Sequence, residues 1–195
     1  MRWTALKREY PLNALGLSHQ FMAAHIRPGD FCIDATAGRG RDALFLCGLV
    51  GESGRVLAMD IQADAVTETP VLLEAEGCAH RAQVVQDCHS RMGRYAHPGT
   101  VDGIMFNFGW LPGGDHHTFS HADTSVAAVQ AGLDLLRPGG VMTLCIYYGR
   151  ENGTAERDAL LAFLPTVDSR RYTVIQGDFA NRTGDVPIPV FIIKE

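Results

Sequence analysis

The chain has 195 residues, with 17 Lys and Arg against 22 Asp and Glu, a formal net charge of −5 and 46% hydrophobic residues. One domain fits that length, and a charged fraction of 20% with 21 glycines and 9 prolines excludes disordered and collagen-like classes. No apolar run approaches the ~18 residues of a membrane span, and no apolar signal segment follows Met1, so the expectation is a cytoplasmic protein. The acidic balance argues against a broad basic surface for indiscriminate nucleic-acid binding and leaves room for a small basic mouth. The five cysteines (Cys32, Cys47, Cys78, Cys88, Cys145) are scattered without a C-x-x-C spacing and read as reduced, mostly buried thiols.

Strand-length apolar runs alternate with helix-length segments. Leu12 to Ile26 predicts a helix flanking or covering a site, within an N-terminal flank over residues 1–27. Phe31 to Thr36 predicts a first buried strand after a Pro28-Gly29-Asp30 turn, followed by a helix over Arg41 to Val50 that stops at Gly51. Arg55 to Asp60 predicts a second strand, then a helix over Ala63 to Glu76 closed by Gly77. Gln83 to Asp87, Val101 to Asn107 and Val141 to Tyr148 predict three more strands, the last entered through Arg137-Pro138-Gly139-Gly140. Continuously apolar strands separated by helices imply a parallel sheet covered on both faces. Tyr172 to Phe179 and Ile188 to Lys194 are joined by too short a segment for a parallel crossover, so they pair antiparallel. The expected fold is an α/β, Rossmann-like, doubly wound seven-stranded sheet over residues 1–195, five parallel strands plus a C-terminal antiparallel hairpin.

Ligands of such sheets lie beyond the carboxyl ends of the strands. Those ends carry Asp34 to Asp42, Asp60-Ile61-Gln62, Asp87-Cys88-His89 and Asn107 to Pro112. Gly38-x-Gly40-x-x-Ala43 with Asp60 also fits the dinucleotide fingerprint, which keeps a nicotinamide cofactor as a competitor. An acid at Asp34, at the mouth of the first strand, would repel a pyrophosphate and attract the sulfonium and α-amino group of S-adenosylmethionine. Taken singly, Asp60, Asp87 and His89 could equally cap helices. Asp115, His116, His117, His121 and Asp123 invite a metal, but no separate third-ligand motif accompanies them, so substrate contact is preferred.

These strand ends, together with Phe45-Leu46, the block Phe106 to Asp115, Tyr147-Tyr148-Gly149 and Asn181, resemble the class I S-adenosylmethionine-dependent methyltransferases. Within them the chain is similar to the YtqB/MnmM family over about residues 12 to 195. The resemblance implies N-methylation of the 5-aminomethyl group of wobble (2-thio)uridine in tRNA, with the anticodon stem-loop as partner. It also implies that Asp34, Thr36, Gly38, Gly40 and Asp42, with Arg39 between the glycines, hold the methionine end of the cofactor. Asp60 and Gln62 would take the ribose, and Asp87 and His89 the adenine side. Asn107, Asp115 and His116 would act on the amine, and Phe108, Gly109, Trp110, Tyr148 and Arg150 would contact the substrate. Phe108 and Trp110 are placed for base stacking, and Arg39, Arg41, Arg150 and Arg182 for phosphates. Competing readings are an rRNA methyltransferase, a small-molecule N- or O-methyltransferase and a non-catalytic nucleotide-binding module. A homodimer is compatible with the sequence, which does not fix the oligomeric state.

Overall fold

The computed structural model describes residues 10–109, 121–149 and 151–195. One sheet contains seven strands in the order β3-β2-β1-β4-β5-β7-β6. β1 (Phe31–Asp34), β2 (Arg55–Asp60), β3 (Ala82–Gln86), β4 (Val101–Phe108) and β5 (Leu136–Ile146) pair in parallel. β7 (Ile188–Lys194) runs antiparallel to both β5 and β6 (Tyr172–Gln176), as the short connection between the last two strands requires.

Among the described residues five α-helices cover the sheet: α1 (Ala14–His25), α2 (Arg41–Val50), α3 (Ala63–Ala75), α4 (Ala122–Leu135) and α5 (Glu151–Phe163). Alternation along the strands sends Cys32, Val56, Ala58, Met105 and Val141 to one face, against Met22 of α1, Leu46 and Val50 of α2 and Leu73 of α3. Ile33, Leu57, Ile104, Phe106 and Leu144 go to the other, against Val129 and Leu133 of α4 and Leu160 of α5. Each of the fully buried Val, Leu, Ile, Phe and Met side chains among these contributes about 1.5–3 kcal/mol. No described helix is long and apolar enough to cross a membrane.

Local chemistry sets the boundaries. α3 ends in a Schellman cap, with Cys78 N–H donating to the Leu73 carbonyl at 2.9 Å and Gly77 N–H to Glu74 at 3.0 Å. β5 begins earlier than the apolar run suggested. Arg137-Pro138-Gly139-Gly140 forms an irregularity inside its first turn of pairing, between Val101 opposite Leu136 and Gly103 opposite Val141. α1 starts at Asn13, whose side-chain oxygen accepts from Gly16 N–H at 2.8 Å. It packs over β5 and β7 and crosses β4 at Gly103, where a Cβ would stand 2.5 Å from Met22 Cε. This close crossing carries Leu15 and His19 to the carboxyl edge of the sheet.

The turn from β1 into α2 depends on Gly40, whose φ is 77° and where a Cβ would lie 2.9 Å from Thr69 Cγ2. Gly40→Ala is expected to cost about 1–3 kcal/mol through left-handed strain and this collision. Urea unfolding at constant m-value measures it; a loss below about 0.5 kcal/mol would show that the turn relaxes freely.

Candidate active site

The carboxyl ends of β1 to β5 open onto a cavity of about 590 Å³. That size falls within the ~300–1,000 Å³ of small-molecule and cofactor sites, and it lies at the point where the strand order reverses between β1 and β4.

The loop after β1 contributes Thr36, Gly38, Arg39 and Asp42 to the wall. Asp34 is not part of that wall. It is fully buried at the end of β1, with Oδ1 accepting from Thr36 N–H at 3.2 Å and Oδ2 without a partner. Burial, reinforced by the nearby Asp42 charge, holds its carboxyl well above the usual carboxylate range. The expectation that Asp34 supplies the charge at the mouth is therefore corrected: Asp42, 7% exposed on the first turn of α2, faces the cavity instead. Gly40 likewise does not line the cavity; it shapes the turn.

Asp60 lines the cavity at the end of β2, its Oδ2 accepting from Gly38 N–H and its Oδ1 from Gln62 N–H, both at 2.9 Å. A carboxylate oxygen has two acceptor sites, so each retains one for a ligand hydroxyl. Gly40 N–H is also committed, to the Ala37 carbonyl at 2.7 Å. The N–H groups of both fingerprint glycines are thus already used. A dinucleotide pyrophosphate would need such groups free, which disfavours the nicotinamide alternative.

At the end of β3, Asp87, Cys88 and His89 line the wall together with Gln62 and the half-exposed Ile61. The Asp87 carboxylate already accepts from Cys88 N–H (2.8 Å), the Tyr95 hydroxyl (3.1 Å) and two guanidinium groups, Arg91 (3.2 Å) and Arg94 (3.5 Å). Burial alone would raise this group, but the hydrogen bonds from Cys88, Tyr95 and Arg91 outweigh it and hold Asp87 below the usual range. His89 is buried edge-on to Phe106 and Phe108, with ring centroids 6.0 and 5.8 Å away. Burial pulls its imidazole down to about 4, against a backbone hydrogen bond to Ala35 that favours the charged form. It is neutral at pH 7.

The end of β4 holds Asn107. Its backbone N–H donates to Thr36 Oγ1 at 2.8 Å and its Nδ2 to Asp42 Oδ2 at 2.5 Å, while its Oδ1 is buried without a partner. Phe108 is fully buried and stacked on Phe106, with centroids 4.9 Å apart and planes 13° apart. Its ring is part of the wall and is not free to stack on a base, which corrects that expectation. Gly109 and Tyr148 line the cavity. Arg39, half exposed, pairs with Glu68 at 3.4 Å, and Arg41 lines the rim. Arg182 does not line the cavity; it lies over Phe179 and donates to the Leu12 carbonyl. Trp110, Asp115, His116, His117 and Arg150 lie outside the described residues. Among the described residues no group of three or more His, Cys, Asp or Glu is placed to hold a metal.

The sequence reading missed Leu15, His19, Thr124 and the position of Tyr147 in the cavity wall. Leu15, Thr124 and Tyr147 line the cavity, and His19 donates from Nε2 to Asp42 Oδ1 at 2.7 Å. Burial, with Cys145 and Asp42 nearby, pushes the Tyr147 phenol up to about 12. A polar residue beside the buried face of α1 was the signal available for His19; its partner is set only by tertiary packing.

A family model described as "Putative rRNA methylase" matches residues 56–193. The chain is 36% identical over 190 residues to the Arabidopsis thaliana tRNA (mnm(5)s(2)U34)-methyltransferase, chloroplastic, spanning 93% of this chain and 69% of that protein. A solved structure from Clostridium thermocellum, described in the same words as the family, superposes with a TM-score of 0.92 at 38% identity, covering 95% of this chain and 99% of that one. SMU.1697c from Streptococcus mutans, solved in complex with SAH, superposes with a TM-score of 0.85 at 29% identity over 95% and 99% of the two chains.

His89 generates a pH prediction. Its folded-state value of about 4 lies below the ordinary 6.5, so the unfolded chain takes up the proton first. The stability this group contributes is complete above the ordinary value and is lost as pH falls through the window down to the folded one. The loss should approach about 3 kcal/mol across that window. Unfolding titrations of wild type and His89→Gln between these pH values measure it; equal slopes for the two proteins would refute the assignment.

Proposed function

Since the chain belongs to the rRNA methylase family and is an S-adenosylmethionine-dependent methyltransferase, we propose that it N-methylates the 5-aminomethyl group of wobble (2-thio)uridine in the tRNA anticodon stem-loop. The observation that carries this reading is the Asn107 carboxamide in the cavity wall: its NH2 is tied to Asp42, and its oxygen is buried without a partner. An uncharged acceptor there suits a neutral amine, which can donate an N–H to it while its lone pair points elsewhere.

Bound S-adenosylmethionine supplies an electrophilic sulfonium methyl group. Its donor set fits this cavity. Asp42 and Thr36 stand where the cationic methionine end would lie, Asp60 and Gln62 where ribose hydroxyls would be met, and the Cys88-His89 turn with Ile61 at the adenine side. The protein's own task is orientation. Asn107 would hold the substrate nitrogen against that methyl group, which the bound cofactor would give up as a nitrogen–carbon bond replaced its carbon–sulfur bond, with one proton leaving the nitrogen. Neutral His89 and Tyr147 line the pocket without adding charge that would compete for the amine. Arg41, with Arg39 beside it, provides rim cations for backbone phosphates. Asp115 and His116 are proposed to accept the departing proton, and Trp110 to stack on the base.

The net charge of −5 favours a second reading, a small amine as substrate. Salt separates the two, since phosphate-dependent RNA binding weakens steeply with ionic strength and small-amine binding does not.

The test is methyl transfer from labelled S-adenosylmethionine to tRNA lacking only the terminal wobble methyl, with nucleoside mass analysis. Wild type should form 5-methylaminomethyl-(2-thio)uridine, and Asn107→Ala should slow the reaction by about 10²-fold. Label appearing in free amines and never in tRNA would overturn the tRNA reading.

A further inference from the structure

We propose that His19 is a positioning residue for methyl transfer: it fixes the Asp42 carboxylate, which in turn fixes the orientation of the Asn107 carboxamide in the cavity wall. As a claim about catalysis this rests on the function proposed above; as a claim about geometry it does not.

The three side chains come from three elements. His19 lies on α1, Asp42 on the first turn of α2 and Asn107 at the end of β4. His19 Nε2 donates to Asp42 Oδ1 at 2.7 Å, and Asn107 Nδ2 donates to Asp42 Oδ2 at 2.5 Å. The carboxylate is thus gripped at both oxygens, once from the helix and once from the strand. Its side chain is 8% exposed and that of His19 is 18% exposed, so water does little to compete for either bond.

The imidazole is itself held. It stacks on Phe45 of α2 with centroids 4.0 Å apart and planes 19° apart, and meets Tyr10 edge-on at 6.0 Å. Ring plane and donor direction are therefore set by packing. This gives His19 two separable roles, a stacking contact and a hydrogen-bond donor.

The donor is the one that reaches the reaction. A carboxamide has two orientations of nearly equal shape, and only its partners choose between them. With Asp42 in place, the reversed orientation would set Asn107 Oδ1 against a carboxylate oxygen. The observed one pairs Nδ2 with the carboxylate and leaves Oδ1 buried without a partner in the cavity wall. If Asp42 were released from His19, its carboxylate could rotate toward the cavity it already lines. There it would pair directly with a substrate ammonium, and an ammonium has no lone pair with which to attack a methyl group. His19 thus keeps the Asp42 carboxylate engaged with Asn107 and withheld from pairing with the amine.

Two variants separate the roles. His19→Phe keeps a ring against Phe45 and removes the donor; His19→Gln keeps a donor and removes the stack. The chain has four asparagines (Asn13, Asn107, Asn152, Asn181), so ¹⁵N-asparagine labelling yields a short set of side-chain amide signals, and the Asn107 pair is identified by its loss in Asn107→Ala. That pair should exchange slowly with solvent in wild type and His19→Gln, and quickly in His19→Phe. With the tRNA substrate, kcat should fall about tenfold or more in His19→Phe and recover in His19→Gln, while KM for tRNA and the affinity for SAH stay within about threefold.

An amide pair unchanged by His19→Phe, or kept in His19→Phe and lost in His19→Gln, would make His19 a packing residue and overturn the proposal. So would loss of the pair with kcat intact. If wild type does not methylate tRNA, the substrate reading falls, and the amide signals still decide whether His19 sets Asn107.

Discussion

Three carboxyl groups, those of Asp34, Asp42 and Asp60, converge on the single turn that leads from β1 into α2, and the site is built around keeping them together. Like charges this close oppose one another, and each group is accommodated differently. Asp34 is taken out of water at the strand end and held toward its neutral form. Asp60 is met by the backbone N–H groups of Gly38 and Gln62. Asp42 is met by two side chains from outside the loop, His19 and Asn107. The glycine turn, the strand-end acid and the flanking helix are therefore one arrangement, since removing any one of these partners leaves a carboxyl group exposed to the other two.

The flanking helix shows how packing serves that arrangement. α1 reaches the site because Gly103 lets it settle onto the β4 backbone, with Met22 and Ile26 occupying the space a side chain would take. Its buried face carries Ala14, Ser18 and Met22, and the Ser18 hydroxyl lies 3.3 Å from Cys145 Sγ on β5. The next residue along, His19, is at the boundary between buried and exposed surface, where a polar ring can meet an acid from α2. A helix that does not belong to the βαβ alternation thus supplies a polar contact inside the site.

The fold was legible because its signals are local. Continuous apolar runs, Gly51 and Gly77 at helix ends, and the short connection before β7 each constrain the chain over a few residues. The boundaries of α2 and β2 followed from that alone. The site was legible only as far as strand ends predict it. Which side chain at a strand end faces the ligand depends on the residue where the strand stops. β1 stops at Asp34, so that acid is inside; β4 runs on through Phe108, so that ring stacks beneath Phe106 on the same face. Contacts such as His19 with Asp42, 23 residues apart, and Asn107 with Asp42, 65 residues apart, depend on crossings that no local pattern encodes.

Other carboxylates, those of Asp87 and Glu68, bear on how an acidic protein would meet a polyanion. Of the cations near the cavity, Arg91 and Arg94 are drawn to Asp87, yet remain 56% and 64% exposed. Arg39 is shared with Glu68 and is half exposed, and Arg41 lines the rim. Asp87 and Glu68 thus anchor guanidinium groups by one edge and leave the rest of each fork toward solvent, where a phosphate can take it. A protein with a net charge of −5 can then offer several guanidinium groups around one cavity without a basic surface. On the proposed reading, this charge distribution orients the substrate before any base contact forms, and the neutral carboxamide of Asn107 receives an amine delivered by its phosphates.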